Sequence, residues 1–200
     1  MQQIATNVLT GAKAQPTKAL PLNTKVWAEW LKLQTHNDAE LESLVLKCGA
    51  FAIEYKNNAR PRWITIVGNT GVGKTHCARR LWNFLSARED WREAEFCHGE
   101  IYWPKFVSEL RAGDAFDKLR DMMDWPVLFL DDIGAERDVT GFSSEQLNTL
   151  IGCRADKWTI LTSNLSLKQL AEIDPRISDR IIRKPNIYIE LNTKSHSLRV

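Results

Sequence analysis

Residues 68–75 read Gly68-Asn69-Thr70-Gly71-Val72-Gly73-Lys74-Thr75, and this run leaves the chain little choice of fold. The pattern G-x-x-x-x-G-K-T cradles a polyphosphate on backbone N–H groups, which needs a strand to deliver the loop and a helix to follow it. Both are legible. Trp63-Ile64-Thr65-Ile66-Val67 is apolar and rich in β-branched residues, as a buried strand requires. After the loop, Cys77, Ala78, Leu81 and Leu85 fall on one helical face. In this setting Lys74 reaches the β- and γ-phosphates and the Thr75 hydroxyl holds Mg²⁺. The three glycines let the loop turn without a Cβ clash.

The 200 residues suffice for one domain with room for a small appendage. A hydrophobic share of 44% and a charged share of 26% are those of a globular protein. The net charge of +2 neither demands nor excludes nucleic acid. Cys48, Cys77, Cys97 and Cys153 are widely spaced, which reads as reduced thiols in or near a core. Cys97-His98 has no companion at metal-ligand spacing. No apolar run reaches membrane-spanning length, and the first residues lack a charged stretch followed by an apolar one. A cytoplasmic protein is expected.

Residues 1–22 have little apolar periodicity and read as an arm. A short helix is predicted from Thr24 to Leu33, with Val26, Trp27, Trp30 and Leu31 on one side, facing either a partner or the protein's own core. Asn37 with Glu40 makes a capping box for a longer helix carrying Leu41, Leu44, Val45, Cys48, Ala52 and Tyr55. Phe96 to Trp103 is a candidate strand. Pro104 suits the first turn of a helix that runs to Arg111 and ends at Gly113. Asp114 is placed to cap a helix containing Phe116, Leu119 and Met122. Strand signals return at Val127–Leu130, Thr159–Thr162 and Ile187–Ile189. Capping boxes at Ser143/Gln146 and Ser166/Gln169 start helices between them. Such alternation predicts an α/β fold, with a mostly parallel sheet covered on both faces.

Val127-Leu128-Phe129-Leu130-Asp131-Asp132 ends an apolar strand in acid, the form of a Walker B strand beside the phosphate crevice. Asp131 is the candidate Mg²⁺ ligand, directly or through water, and Asp132 the candidate for polarising an attacking water. Glu136 is a substitute or helper. The neighbouring strand ends in Thr162-Ser163-Asn164, where the amide suits a γ-phosphate or the lytic water. Asp174 and Pro175 then start a helix with Ile177 and Ile181 on one face and Arg176, Arg180 and Arg183 on another. By spacing alone, that basic face is either a solvated stripe or the source of an arginine finger for a neighbouring subunit. Trp103 with Lys105, and the cluster Lys56, Arg60, Arg62, are candidates for stacking on and neutralising a nucleic acid.

Taken together, Gly73-Lys74-Thr75-His76, Leu130-Asp131-Asp132-Ile133-Gly134-Ala135-Glu136, Thr162-Ser163-Asn164-Leu165-Ser166 and Asp179-Arg180-Ile181 resemble the AAA+ ATPases. More narrowly, they resemble the DnaC-type helicase loaders and their relatives, the IstB-type transposition helpers. The resemblance covers about residues 40–192. It implies a three-layer P-loop core with a short N-terminal helical extension and no C-terminal lid domain. The implied division is 1–36 as arm and short helix, a possible partner-binding segment, 37–192 as ATPase core and 193–200 as tail. By resemblance the phosphate loop extends through His76, Asn164 is the sensor-one residue, and Arg180 is the arginine finger, with Arg176 second. Function then follows as expectation: binding and hydrolysis of Mg·ATP at sites shared between subunits of an ATP-dependent oligomer, contact with single-stranded DNA, and delivery of a replicative helicase. The competing expectations are an IstB-like helper and a small-molecule phosphotransferase on the same fold.

Overall fold

The computed structural model describes residues 24–31, 35, 38–57, 59–86, 98–136 and 138–193. Five parallel strands form one sheet: β1 (Trp63–Gly68), β2 (His98–Tyr102), β3 (Val127–Asp131), β4 (Trp158–Ser163) and β5 (Ile187–Leu191). Their order across the sheet is β2-β3-β4-β1-β5. β1 therefore lies between β4 and β5, and β3 beside β4, so the phosphate loop, the acids and Thr162-Ser163-Asn164 leave the sheet along one edge. Every residue of β3 and β4 is buried, which is why these strands read as unbroken apolar runs rather than alternating ones.

Helices cover both faces. α1 (Thr24–Trp30), α2 (Ala39–Lys56) and α3 (Lys74–Ser86) share one core with Ile64, Ile66, Val127 and Phe129. α4 (Trp103–Ala112), α5 (Phe116–Asp124), α6 (Phe142–Gly152), α7 (Leu167–Ile173) and α8 (Pro175–Ile182) share the other with Trp63, Leu128, Leu130 and Leu161. Alternate residues of each strand thus point to opposite faces. Burial of each large apolar side chain contributes about 1.5–3 kcal/mol.

Several local expectations are corrected. α1 ends at Trp30, and Leu33 lies outside the described residues. Trp27 is fully buried against α2, where a Cβ on Gly49 would come within 2.6 Å of its indole, and Leu31 is buried too, so these two pack on the protein itself. Asn37 also lies outside the described residues; the N-cap of α2 is Asp38, which accepts from the amides of Glu40 and Leu41. The Glu40 carboxylate instead accepts from the amides of Asn192 and Thr193, tying the end of β5 to α2. β2 is shorter than predicted because Trp103 opens α4; Phe96 and Cys97 lie outside the described residues. Ala115, not Asp114, precedes α5, and no side chain caps it. Ser143 is inside α6 and buried, while Asp138 accepts from the Ser144 amide at that helix start. The Ser166/Gln169 capping box, the Asp174 cap and the left-handed Gly113 after α4 stand as expected.

At the start of β3 and β4 a fully buried cation organises the chain. Arg154 donates to the carbonyls of Met122, Trp125 and Trp158 and to Thr159 Oγ1, at 2.5–3.0 Å. Its own carbonyl accepts from the Trp63 indole at 2.9 Å. Cys48 and Cys77 are buried thiols with Sγ atoms 3.7 Å apart, whereas Cys153 is exposed.

Candidate nucleotide site

β1 delivers the chain to the phosphate loop through Gly68, whose φ of +146° and whose Cβ, were there one, 2.3 Å from the Leu191 carbonyl allow only glycine. Asn69, Thr70, Gly71, Val72 and Gly73 form the turn, and α3 begins at Lys74. Val72 is buried and anchors the loop to the core. The aliphatic stem of Lys74 is buried as well, with only 6% of the residue exposed. Its ammonium donates to the Asn69 carbonyl at 2.8 Å and to Asn164 Oδ1 at 2.7 Å. Burial lowers its pKa, against the pull of the Asp132 and Asp131 charges. Thr75 follows in the first turn, and His76 is exposed beside it.

Asp131 closes β3 and is buried. Its Oδ1 accepts from Thr75 Oγ1 at 2.8 Å and from Thr162 Oγ1 at 2.6 Å. With its proton committed to Asp131, the Thr75 hydroxyl has only lone pairs to offer outward, which suits a hard cation. Oxygen donors set side by side under a phosphate loop fit Mg²⁺, which takes one or two protein oxygens and completes its shell with water and phosphate. Among the described residues no cluster of three or more His, Cys, Asp or Glu side chains provides a separate metal site.

Asp132 departs from the strand. It is the one described residue other than glycine with positive φ, at +64°, a conformation that an aspartate adopts at a cost of about 1–3 kcal/mol. Its amide donates to Thr162 Oγ1 at 2.9 Å, and its carboxylate accepts from Asn164 Nδ2. Burial and the adjacent Asp131 raise its pKa, with Lys74 opposing. Asn164 thus spans the crevice: its carbonyl oxygen accepts from the Lys74 ammonium and its NH₂ group donates to Asp132. Thr70 Oγ1 also approaches the same carbonyl oxygen, at 3.5 Å. The structure brings the phosphate loop, Asp131, Asp132 and Asn164 together as the motifs predict.

Other expectations fare differently. Glu136 is tied on one side: its Oε1 accepts from the Trp103 indole at 3.0 Å and from the Ser143 hydroxyl, while its Oε2 is buried without a hydrogen-bond partner. That indole is fully buried, so Trp103 cannot stack on a base. Lys105 is exposed and lies 3.6 Å from Glu109. Arg62 is ion-paired with Glu54 at 2.7 Å rather than open to a phosphate.

The three arginines of α8 and its end also separate. Arg176 folds back on Asp174, its guanidinium 2.8 Å from Oδ2. Arg183 pairs with Asp179. Arg180 lies against the end of α6, where a Cβ on Gly152 would come within 2.8 Å of Nη1. It lines a cleft of about 210 Å³ with Arg60, Trp63, Asp156 and Lys184. This cleft is at the start of β1, whereas the phosphate loop leaves its end, roughly 17 Å away along the strand. Arg180 and Lys74 of one copy therefore do not meet. Sequence reading missed Thr162 and Arg154; the hydroxyl two residues before Asn164 was the available signal for the first, and Arg154 has none.

The model of the bacterial DnaA ATPase domain family matches residues 48–184. The replicative helicase loader DnaI of Bacillus subtilis (strain 168) is 30% identical over 126 residues, which take in 60% of this chain and 39% of the loader. The chain thus matches well under half the length of that relative. A crystal structure of DnaI superposes with a TM-score of 0.62 at 24% identity, covering 88% of this chain and 94% of that one. The crystal structure of the DnaC helicase loader gives 0.60 at 22% identity, with 84% and 99% covered. At those identities the two structures speak for the fold: a P-loop core of the AAA+ kind, with its sheet between two layers of helices.

Proposed function

The chain belongs to the bacterial DnaA ATPase domain family, and on that footing we propose that it is a Mg·ATP-dependent helicase loader that hydrolyses ATP at sites shared between copies of itself. The observation that carries the reading is the continuous side-chain chain Lys74–Asn164–Asp132 across the crevice. A phosphate loop that only bound nucleotide would have no use for an amide that touches both the phosphate-binding cation and the second acid.

In this mechanism the loop amides from Asn69 to Thr75 and the Lys74 ammonium hold the phosphates. Phosphate oxygens replace Asn164 as the acceptor for Lys74, which frees the amide to face the terminal phosphate or the attacking water. Thr75 and Asp131 hold Mg²⁺, which when bound neutralises charge on the phosphate oxygens. Asp132 orients the water and accepts its proton; as the shorter of the two acidic side chains it makes for slow turnover. Arg180 of a neighbouring copy stabilises the charge of transfer, and its place at the far end of β1 supports action between copies rather than within one. Kinship with the loaders supports a replicative helicase as protein partner and single-stranded DNA as a further contact. Among the described residues no helix is long and apolar enough to cross a membrane, in keeping with a cytoplasmic role.

The test is ATP hydrolysis with and without single-stranded DNA, with mass measured alongside, for the wild type and Arg180→Ala. The expected outcome is DNA-stimulated phosphate release from an ATP-dependent oligomer. In Arg180→Ala it falls by about 10³-fold while ATP still binds. A monomer that hydrolyses ATP equally well without Arg180 would sink the shared-site reading.

A further inference from the structure

We infer that the Thr162 hydroxyl is a positioning group that aims both acids of the site, Asp131 and Asp132, through one oxygen atom. The inference rests on the reading of the crevice as a Mg·ATP site.

A hydroxyl has one proton. Thr162 Oγ1 lies 2.6 Å from Asp131 Oδ1 and 2.9 Å from the Asp132 amide nitrogen. A carboxylate oxygen only accepts and an amide N–H only donates, so the proton goes to Asp131 and the lone pair takes the amide. One side chain therefore holds both sides of the peptide unit between the metal-binding acid and the water-facing acid. That peptide is where β3 ends and the backbone turns to the left-handed φ of +64° at Asp132. A strained turn at the end of a strand keeps its shape only when neighbours over-determine it.

The rest of β4 repeats the grip. The Thr162 carbonyl accepts from the Ile133 amide at 2.9 Å, and the Ser163 hydroxyl donates to the Ile133 carbonyl at 2.6 Å. Asn164 then holds the Asp132 carboxylate. Three consecutive residues, the last two of β4 and Asn164 just after it, thus fasten Asp131, Asp132 and Ile133. Of the three, Thr162 alone reaches both acids and stays off the crevice surface, with 1% of the residue exposed. Removing only its hydroxyl leaves Asp131 with Thr75 as its remaining donor and orphans the Asp132 amide. Both acids lose their aim while the phosphate loop keeps every contact.

The experiment compares Thr162→Val, which keeps the shape without the hydroxyl, with Thr162→Ser, which keeps the hydroxyl. Steady-state hydrolysis gives kcat and KM; a fluorescent non-hydrolysable ATP analogue, titrated in EDTA and across Mg²⁺ concentrations, gives binding. For Thr162→Val, kcat falls by about 10–100-fold, the range found when a partner of a metal ligand is lost. The Mg²⁺ needed for half-maximal binding rises by about 10-fold, and analogue affinity in EDTA is unchanged. Thr162→Ser stays within about threefold of the wild type in all three, less than the loss of a single hydrogen bond. A valine variant that matches the wild type in kcat and Mg²⁺ dependence overturns the inference. So does a serine variant as impaired as the valine, which would assign the effect to packing. Should the valine variant fail to fold, as judged by circular dichroism, Thr162→Cys takes its place, since a thiol is a weak donor; full activity there overturns the inference equally. A wild type without phosphate release defeats the proposed hydrolysis, and the Mg²⁺ dependence of analogue binding still decides for Thr162.

Discussion

The same sheet buries a cation at each end, and the two are held in opposite ways. At the start of β3 and β4, Arg154 is wrapped by three backbone carbonyls and a threonine hydroxyl. At the other end, Lys74 has one backbone carbonyl and one side-chain amide. The first set of acceptors cannot leave without unmaking the fold. Half of the second can, because Asn164 only has to turn aside. A buried charge held mainly by backbone carbonyls is a structural element; one held half by a rotatable side chain keeps a place for a competing ligand. The neighbouring acids agree with this division, since Asp132 carries backbone strain, burial and a like charge from Asp131 together.

The comparison breaks first, and by the largest amount, on the pair Arg154→Met and Lys74→Met. Loss of Arg154 strands buried carbonyls and lowers stability in urea unfolding by about 3–5 kcal/mol. Loss of Lys74 changes stability by less than about 1 kcal/mol, whereas affinity for ATP falls by about 100-fold or more, equivalent to about 2.8 kcal/mol. Equal losses of stability in the two variants would abolish the distinction.

A finer test is Asp132→Asn. Asn tolerates the left-handed region better than most residues and carries no charge to be repelled by Asp131. The variant is expected to melt above the wild type while its turnover drops by about 10²–10⁴-fold, the usual weight of a general base. The sign with pH follows from the raised pKa of Asp132. Protonation stabilises the folded state, so the wild type draws level with the variant in acid and falls behind as pH rises through that raised value. A variant that melts below the wild type at neutral pH would show that the carboxylate is a stabilising partner after all.

The smallest effect lies between the extremes, at the cap of α8. The hydrogen bond from Arg176, aided by the Arg176 amide, lowers the pKa of Asp174 despite its burial. A lowered value means stability present above the unfolded pKa near 3.8 and lost as pH falls through the folded one. Arg176 is largely exposed, so Asp174→Asn, which keeps the cap but not the ion pair, costs under about 1 kcal/mol at neutral pH. That difference fades as pH falls through the lowered Asp174 value, as thermal melts across pH would record.

What could be read from the chain and what could not divide along sequence distance. The phosphate loop, Asp131 and Asn164 are legible because each follows an apolar strand by a fixed step, and the step sets the edge of the sheet on which the residue emerges. The Ser166/Gln169 box and the Asp174 cap are legible because both partners lie within one turn. Ser143 misleads because a tertiary partner, Glu136, draws its hydroxyl inward before it can cap. Asn37 and Asp38 are adjacent and of nearly equal capping strength, and the pattern alone cannot rank the two. Thr162, Arg154 and the Glu136–Trp103 bond depend on chain segments roughly thirty residues apart that only the finished sheet brings together. The arginines of α8 share a helical face, but local acids claim two of them and leave Arg180 against Gly152.

Gly49 has a topological consequence. A glycine inside a helix costs about 1 kcal/mol relative to alanine. Here it opens a notch one indole wide, and Trp27 occupies it. With a rise of 1.5 Å per residue, a shift of α1 by one position would move the indole out of the notch, so the docking of α1 on α2 has a single register. The polypeptide is thereby moored at Thr24 on the side of the sheet that carries α2 and α3, while Arg180 belongs to α8 on the reverse side. α1 and α8 therefore stand back to back, with the full thickness of the sheet between them.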